Sequence, residues 1–327
     1  MHEEFLKNVI DYTLFFDIIT FMNKIKFLSI CLNPVLQKTL VLNSLHENEV
    51  NRSGEYYFDA SGKGVNVSRV LTELGEDVIH LTQVGGINKK LFLRMIKKDR
   101  INIQTVDSYS EIRYCYTLIN KENKTTTEIV EEAEKVNPKT EKNVFEKFLR
   151  IIPKMDVVII SGTKASGFSD SLYPSIVKKA KQEGKKIILD IKGSDLKNSL
   201  EYKPDIIKPN LSEFASTFLN DASFKESHEN AKKMDVIKNE MKELYDKYHT
   251  TVILTRGKFG TLYIDENKIF EIVPEPITPL NTIGCGDSFT AGFASSWSKD
   301  ASLEESIKKA HECAKLNALN IRPGSIK

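Results

Sequence analysis

The sequence predicts an α/β protein, a mostly parallel sheet covered by helices on both faces, with a smaller β-sheet inserted into it. Three observations lead there. Short runs rich in Val and Ile recur through the second half of the chain, and long helical patterns separate them. Two early stretches instead interleave β-forming and polar residues. At 327 residues the chain is long enough for one large α/β domain with a small appendage.

Residues 5–21 are apolar but carry Lys7, Asp11 and Asp17. They lack the basic start and small-residue cleavage site of a signal peptide. Their charges also interrupt the roughly 20 apolar residues that a membrane span needs. Residues 1–23 are therefore set apart as an N-terminal extension, and 24–327 as the main domain. Either Met22 is the true start or the first 21 residues form an added helix. Residues 22–34 read as the first strand. Residues 36–60 and 111–130 hold runs such as TLVL, YYF and YCYTLI, broken by turn residues, and predict an antiparallel sheet. With one apolar face, that sheet needs a cover from a substrate, the main domain or a second copy. The runs at 157–160, 187–189, 206–207 and 252–254 are buried strands, with helical patterns at 171–183 and 225–247. Strand alternating with helix implies parallel pairing.

Composition narrows the function. Apolar residues make up 40% and charged residues 28%, as in soluble globular proteins. A net charge of +2 gives no field that would favour nucleic acid or an acidic membrane surface. The lysine run at 178–181 is a solvated helix face. None of Cys31, Cys115, Cys285 and Cys313 forms a C-x-x-C pair, so reduced thiols in a cytoplasmic protein are expected. The histidines show no ligand spacing, so no transition-metal site is suggested.

Four segments carry chemistry. The strongest is NTIGCGDSF at 281–289. Gly284 and Gly286 permit a tight turn into a helix whose Phe289, Phe293 and Trp297 are core residues. Free N–H groups and the helix dipole there attract anions. Asp287 sits in that first turn, where a carboxylate can take the proton of an attacking hydroxyl. It would equally suit a plain helix start, and the local pattern does not separate the two. The second segment, SGKGVNVSRVL at 61–71, places Gly62, Lys63 and Asn66 at a helix start. That suits a phosphate or polyhydroxyl, although a simple glycine turn with Asn66 as a cap explains it too. The third is KPNLSE at 208–213. Asn210 and Glu213 can order water around Mg²⁺, form a capping box, or do both. The fourth, TRGKFG at 255–260, is a glycine turn after a strand where a nucleotide phosphate can lie against backbone. No Walker loop is present, and the glycines at 284–286 lack the βαβ context of a dinucleotide site.

In this order and spacing, the four segments resemble the ribokinase-like (PfkB) carbohydrate kinases over roughly residues 26–327. CLNP at 31–34, the 61–71 block, IKPNLSE at 207–213 and EIR at 111–113 make the chain most similar to the 1-phosphofructokinase and tagatose-6-phosphate kinase branch. The resemblance implies a Rossmann-type three-layer core with a β-sheet lid, often shared in a homodimer. It implies Asp287 as base, with the N–H groups of Gly284, Cys285 and Gly286 as an anion hole. Gln37, Gly62, Lys63, Asn66, Arg113, Ser161 and Gly162 would hold the phosphorylated sugar. Lys208, Thr255, Gly257, Gly260 and Asn317 would serve ATP, and Asn210 and Glu213 would support Mg²⁺ through water. Monovalent-cation dependence is left open.

Departures bear on the substrate. Gln37 stands where the family usually has Asp, so a neutral amide replaces a carboxylate. Ser61 replaces a glycine, and SGTKASG at 161–167 replaces S-G-S-L-P-x-G. Lys164 in that loop is expected in solvent, with a phosphate contact as the alternative. The expected reaction is phosphorylation of fructose 1-phosphate to fructose 1,6-bisphosphate, followed closely by tagatose 6-phosphate and fructose 6-phosphate as acceptors. A sugar-phosphate-binding regulator on the same fold is the alternative of another class. Retention of Asp287 and both glycines argues against it. A nicotinamide oxidoreductase is disfavoured by the missing fingerprint.

Overall fold

A computed structural model describes residues 24–221, 224 and 231–327. The N-terminal extension, residues 1–23, lies outside the described residues. Elements run in the order β1 (Lys26–Ile30), β2 (Val35–Leu42), β3 (Glu55–Ser61), α1 (Lys63–Glu73), β4 (Asp77–Val84), α2 (Lys89–Lys98), β5 (Asn102–Asp107), β6 (Arg113–Asn120) and β7 (Thr125–Val130). There follow α3 (Lys139–Ile151), β8 (Val157–Ser161), α4 (Leu172–Gln182), β9 (Lys186–Asp190), α5 (Gly193–Leu200), β10 (Ile206–Ile207), α6 (Leu211–Phe214) and α7 (Ala231–Tyr248). The chain ends with β11 (Thr251–Thr255), β12 (Thr261–Asp265), β13 (Lys268–Ile272), α8 (Cys285–Trp297) and α9 (Leu303–Ala318).

The main sheet has nine strands in the order β13-β12-β11-β10-β9-β8-β1-β4-β5. Pairings from β5 through β11 are parallel, while β11-β12 and β12-β13 are antiparallel. β8 shows why its sequence is continuously apolar. Val158 and Ile160 face a core with Phe148, Ile176 and Met241 of α3, α4 and α7. Val157 and Ile159 face the other core, with Val67 and Val70 of α1, Phe289 and Phe293 of α8, and Ile307 of α9. A strand buried on both faces has no polar side to show. The expected three layers are present, and Phe289 and Phe293 are buried as expected. Trp297 is partly buried and stacks on Phe293 with ring centroids 5.8 Å apart.

The second sheet has the order β3-β2-β6-β7. It corrects one expectation, because it is mixed and not purely antiparallel. β2-β3 and β6-β7 are antiparallel hairpins, yet β2 and β6 run parallel from Val35↔Arg113 to Leu42↔Asn120. The reason lies in chain order. β2 leaves the main sheet after β1, and β6 leaves it after β5, so both depart from the carboxyl ends of parallel strands in the same direction.

Candidate active site

Gly64 packs against Ile30 and Cys31 at the end of β1, and Gly286 lies beside Lys208 just after β10, so both glycine turns sit at the carboxyl ends of main-sheet strands. In α/β sheets, ligands bind beyond the carboxyl ends of the strands. The 281–284 turn is tied down by Asn281, whose Oδ1 accepts from the Ile283 amide at 3.0 Å. Gly284 has φ +82°, and a Cβ there would run into the Gly324 backbone, so the position requires glycine. At Gly286 an added Cβ would meet only the Lys208 ammonium, 3.9 Å away. The space over the start of α8 is therefore open and bounded by a cation, which is what an anion requires. The expected anion hole is narrower than its sequence suggests, since the Cys285 N–H donates to the Thr282 carbonyl at 3.3 Å. Burial pushes the Cys285 thiol up to about 11, so it stays neutral.

Asp287 is only 6% exposed. Its Oδ2 accepts from Asn66 Nδ2 at 2.8 Å. Asn66 is not the cap of α1. It lies inside the helix, buried, with its own N–H bonded to the Gly62 carbonyl at 3.0 Å, and its amide is free to face α8. Burial and the Asp190 charge raise the Asp287 pKa to about 6, while Lys63, Asn66 and Lys208 hold it from rising further.

Asp190, which the motifs did not reveal, joins the segments. It ends β9 and is 1% exposed. Lys208 lies 3.3 Å from its Oδ1 and Lys63 3.5 Å, while Ser161 and Thr290 donate to Oδ2 at 3.0 and 3.3 Å. Burial opposes its charge, but the two lysines outweigh that and leave its pKa below the usual range. Its signal was an acid closing an apolar strand at the sheet's carboxyl edge. Lys63 also pairs with Glu213 at 3.0 Å. Burial works against the Lys63 ammonium, but Asp190 and Glu213 more than offset it and hold its pKa well above normal.

The loop at Gly62 and the loop at Gly162 meet around Cys31, whose sulfur lies 3.6 and 3.5 Å from where their Cβ atoms would be. Asn210 and Glu213 form a full capping box on α6, with bonds of 2.8 and 3.1 Å. Asn210 bridges to Thr255, so the third and fourth segments are adjacent. Gly257, with φ +55°, opens the short turn that follows, and Gly257 is exposed. Gly260 has a packing role, because a Cβ there would strike the Ile272 carbonyl.

Two other residues differ from expectation. Asn317 is fully buried and spends its amide inside the protein, not on a nucleotide. It donates to the Ile283 carbonyl at 2.9 Å and accepts from Gly324 N at 2.6 Å and Ser288 Oγ at 3.1 Å, so it fixes the glycine turn. Lys164 is not in solvent. Its side chain is 6% exposed, pairs with Asp195 and Asp170, and lies over the Tyr173 ring. Gln37 and Arg113 stand on the lid. Gln37 Nε2 donates to Thr117 at 2.7 Å and Glu128 at 3.3 Å. Arg113 Nη1 donates to the Glu131 carbonyl at 2.9 Å, while its Nε is buried without a partner among the described residues.

A raised-pKa carboxylate beside a cation-bounded anion space suits transfer of an anionic group to a hydroxyl. Known proteins place the chain within that class. The sequence pattern of the pfkB family carbohydrate kinases matches residues 22–325, and the chain belongs to that family. It is thus an ATP-dependent phosphotransferase with an alcohol group as acceptor. A tagatose-6-phosphate kinase of Staphylococcus epidermidis is 30% identical over 308 residues, covering 91% of this chain and 94% of that one. Phosphofructokinase-2 from Escherichia coli in complex with substrates and products shares the fold, with TM-score 0.80, 21% identity and 93% and 96% coverage. So does a protein named possible 1-phosphofructokinase from Thermotoga maritima, with TM-score 0.80, 21% identity and 91% and 93% coverage.

The raised Asp287 pKa has a stability consequence. Folding favours its protonated form, so its contribution is fully present below the ordinary carboxylate pKa and is lost as pH rises through about 6. Asp287→Asn should therefore be more stable than wild type at pH 7.5, by on the order of 2 kcal/mol. That advantage should vanish near pH 4. Denaturant melts at both pH values check this, and a variant less stable at pH 7.5 would contradict the assignment.

Proposed function

We infer that the chain transfers the γ-phosphoryl group of ATP to a primary alcohol of a ketohexose monophosphate. The observation that carries this reading is the buried Asp287 beside the open, Lys208-bounded space over α8. Asp287 takes the hydroxyl proton as the new P–O bond forms, and the helix start and lysines meet the charge on the moving group. The lid would cover the sugar and exclude water, limiting ATP hydrolysis. Thr255 and Gly257 offer a nucleotide a strand-end turn beside Asn210. Among the described residues no group of three His, Cys, Asp or Glu could cage a metal. Glu213 already serves Lys63 and the Asn210 amide, which fits Mg²⁺ arriving with nucleotide phosphates and held through water. Such an ion would neutralise charge between the phosphates.

A phosphorylated acceptor is favoured by Arg113, whose buried Nε has no partner among the described residues, one that an anion would supply. The sequence put fructose 1-phosphate first; the 30% identical relative named tagatose-6-phosphate kinase brings tagatose 6-phosphate level with it. An ADP-release assay with Mg-ATP, with and without K⁺, against these two, fructose 6-phosphate and the free sugars tests the reading. Turnover of a phosphosugar is expected, with an acid limb near pH 6 set by Asp287. Asp287→Asn should lose at least ~10²-fold in kcat. Near-normal turnover by that variant would end the proposal.

Arg113→Met should raise KM for the phosphosugar at least ~10-fold and leave KM for ATP unchanged, as for loss of a charge-assisted contact. An unchanged KM would remove Arg113 from the phosphate site.

We also take the lid to be shared between two copies. Tyr56, Ile129 and Val130 are 61%, 54% and 46% exposed on it, and Leu40, Leu42, Leu45 and Leu118 line a groove there. Sedimentation should give a dimer for wild type and a monomer for Ile129→Glu. A wild-type monomer at micromolar concentration would overturn this.

A further inference from the structure

The base depends on Arg69, which lies within the 61–71 block but was given no role there. Arg69, on α1, is 1% exposed and is the largest fully buried side chain described. Its Nη1 donates to Asn66 Oδ1 at 2.9 Å and to the Pro323 and Gly324 carbonyls at 3.1 and 3.4 Å. Its Nε donates to Asp99 at 2.9 Å, and its Nη2 to the Ala60 carbonyl on lid strand β3. Ser61 Oγ also donates to Asn66 Oδ1, at 3.1 Å.

This arrangement settles which way the Asn66 amide points. A guanidinium has donors only, so the Asn66 atom facing Arg69 must be the carbonyl oxygen. The Asn66 NH₂ is then turned to Asp287, where it donates to Oδ2 at 2.8 Å. With Oδ2 so occupied, Oδ1 is the oxygen left to accept a substrate proton. If the amide turned over, its oxygen would face the carboxylate, and two acceptors would repel. The same guanidinium anchors the C-terminal segment. Gly324 in turn lies against both Asn66 and Gly284, where no Cβ would fit. Arg322 continues the network to Asp99 at 2.7 Å and to lid residue Asp59 at 2.8 Å.

We propose that Arg69 is a positioning residue for phosphoryl transfer. It locks the Asn66 amide so that Asp287 is held ionised and aimed by one oxygen, and it fastens the C-terminal segment against the anion turn. The proposal rests on Asp287 being the base. The charged groups facing Asp287 are Lys63 from α1, Asp190 from β9 and Lys208 after β10, with the Cys285 thiol neutral beside it. None of these is altered by changing Arg69, so a shift in the acid limb reports the amide.

The test compares wild type, Arg69→Lys and Ser61→Ala in the holoenzyme assay with Mg-ATP and whichever phosphosugar wild type turns over. Arg69→Lys keeps the charge but loses the fork. Its kcat should fall ~10-fold or more, as for a misplaced catalytic group. Its acid limb should move to higher pH, and its KM for ATP should stay within twofold. Ser61→Ala removes the second donor to Asn66 while leaving Asp99 and the tail paired, and should move the limb in the same direction by less. A purely structural role predicts lower melting temperatures with the acid limb unmoved in both variants, and that result overturns the proposal. If Arg69→Lys does not fold, Ser61→Ala decides alone by the same limb. If wild type turns over no phosphosugar, the parent reading has failed, which the wild-type lane reports separately.

Discussion

The carboxylate of Asp190 is the contact on which the site depends. Two lysines from separate segments, Lys63 at the start of α1 and Lys208 after β10, converge within 3.5 Å of it. Without a buried anion between them, the two ammonium groups would repel, and each would lose stability from dehydration. With Asp190 present, both ammonium groups have a buried partner at the site. Ser161 and Thr290 complete the acid's hydrogen bonds, so β8, β9, α1 and α8 are joined at one point. A buried pair of this kind does not have to add stability; it fixes a geometry. Here that geometry places cations next to Asp287.

Much of this was legible in the chain, for identifiable reasons. Runs such as 157–160 announce a strand buried on both faces because every residue must be apolar, and the structure assigns alternate residues to two cores. Gly284 and Asp287 stand out because a positive φ and a helix start impose residue types locally. The misses are of another kind. Asp190 and Arg69 act through partners distant in sequence. Asp190 meets Thr290 from 100 positions away, and Arg69 meets Pro323 from 254. No local spacing encodes such contacts. Lys164 was misread for the same reason, since a loop lysine looks solvated until Asp195 and Tyr173 close over it. The lid's parallel centre was hidden because hairpin signals report turns between neighbours and say nothing of how two hairpins join.

Asn317 shows how a residue in the right place can hold a different task. The resemblance implied a place along ATP, but Asn317 holds the anion turn and has no face left for a ligand. A buried amide with its donors and acceptors satisfied stiffens the backbone around it. That stiffness matters at a glycine turn. Glycine is the residue most able to adopt other conformations, and here Gly284 is held by contacts from Gly324 and Asn317 on its exterior.

The electrostatic balance of the cleft bears on how Asp287 would work as a base. Lys63 and Lys208 face Asp190, Glu213 and Asp287, so two cations meet three carboxylates, a net of −1 when Asp287 is ionised. Burial is the main reason Asp287 holds a proton more tightly than an exposed carboxylate; the Asp190 charge adds to it, and Lys63, Asn66 and Lys208 work against it. On the proposed reading, a nucleotide phosphate entering the space beside Lys208 adds negative charge and strengthens the base further. A divalent cation carried with the phosphates acts in the opposite sense. Asn66 supplies a donor that keeps the ionised form available at neutral pH. The site therefore does not need a fixed, strongly basic group. On that reading it needs a carboxylate whose proton affinity lies just below neutrality and rises when the phosphoryl donor is in place, and the positions of Asp190, Lys208 and Asn66 around Asp287 would suit that requirement.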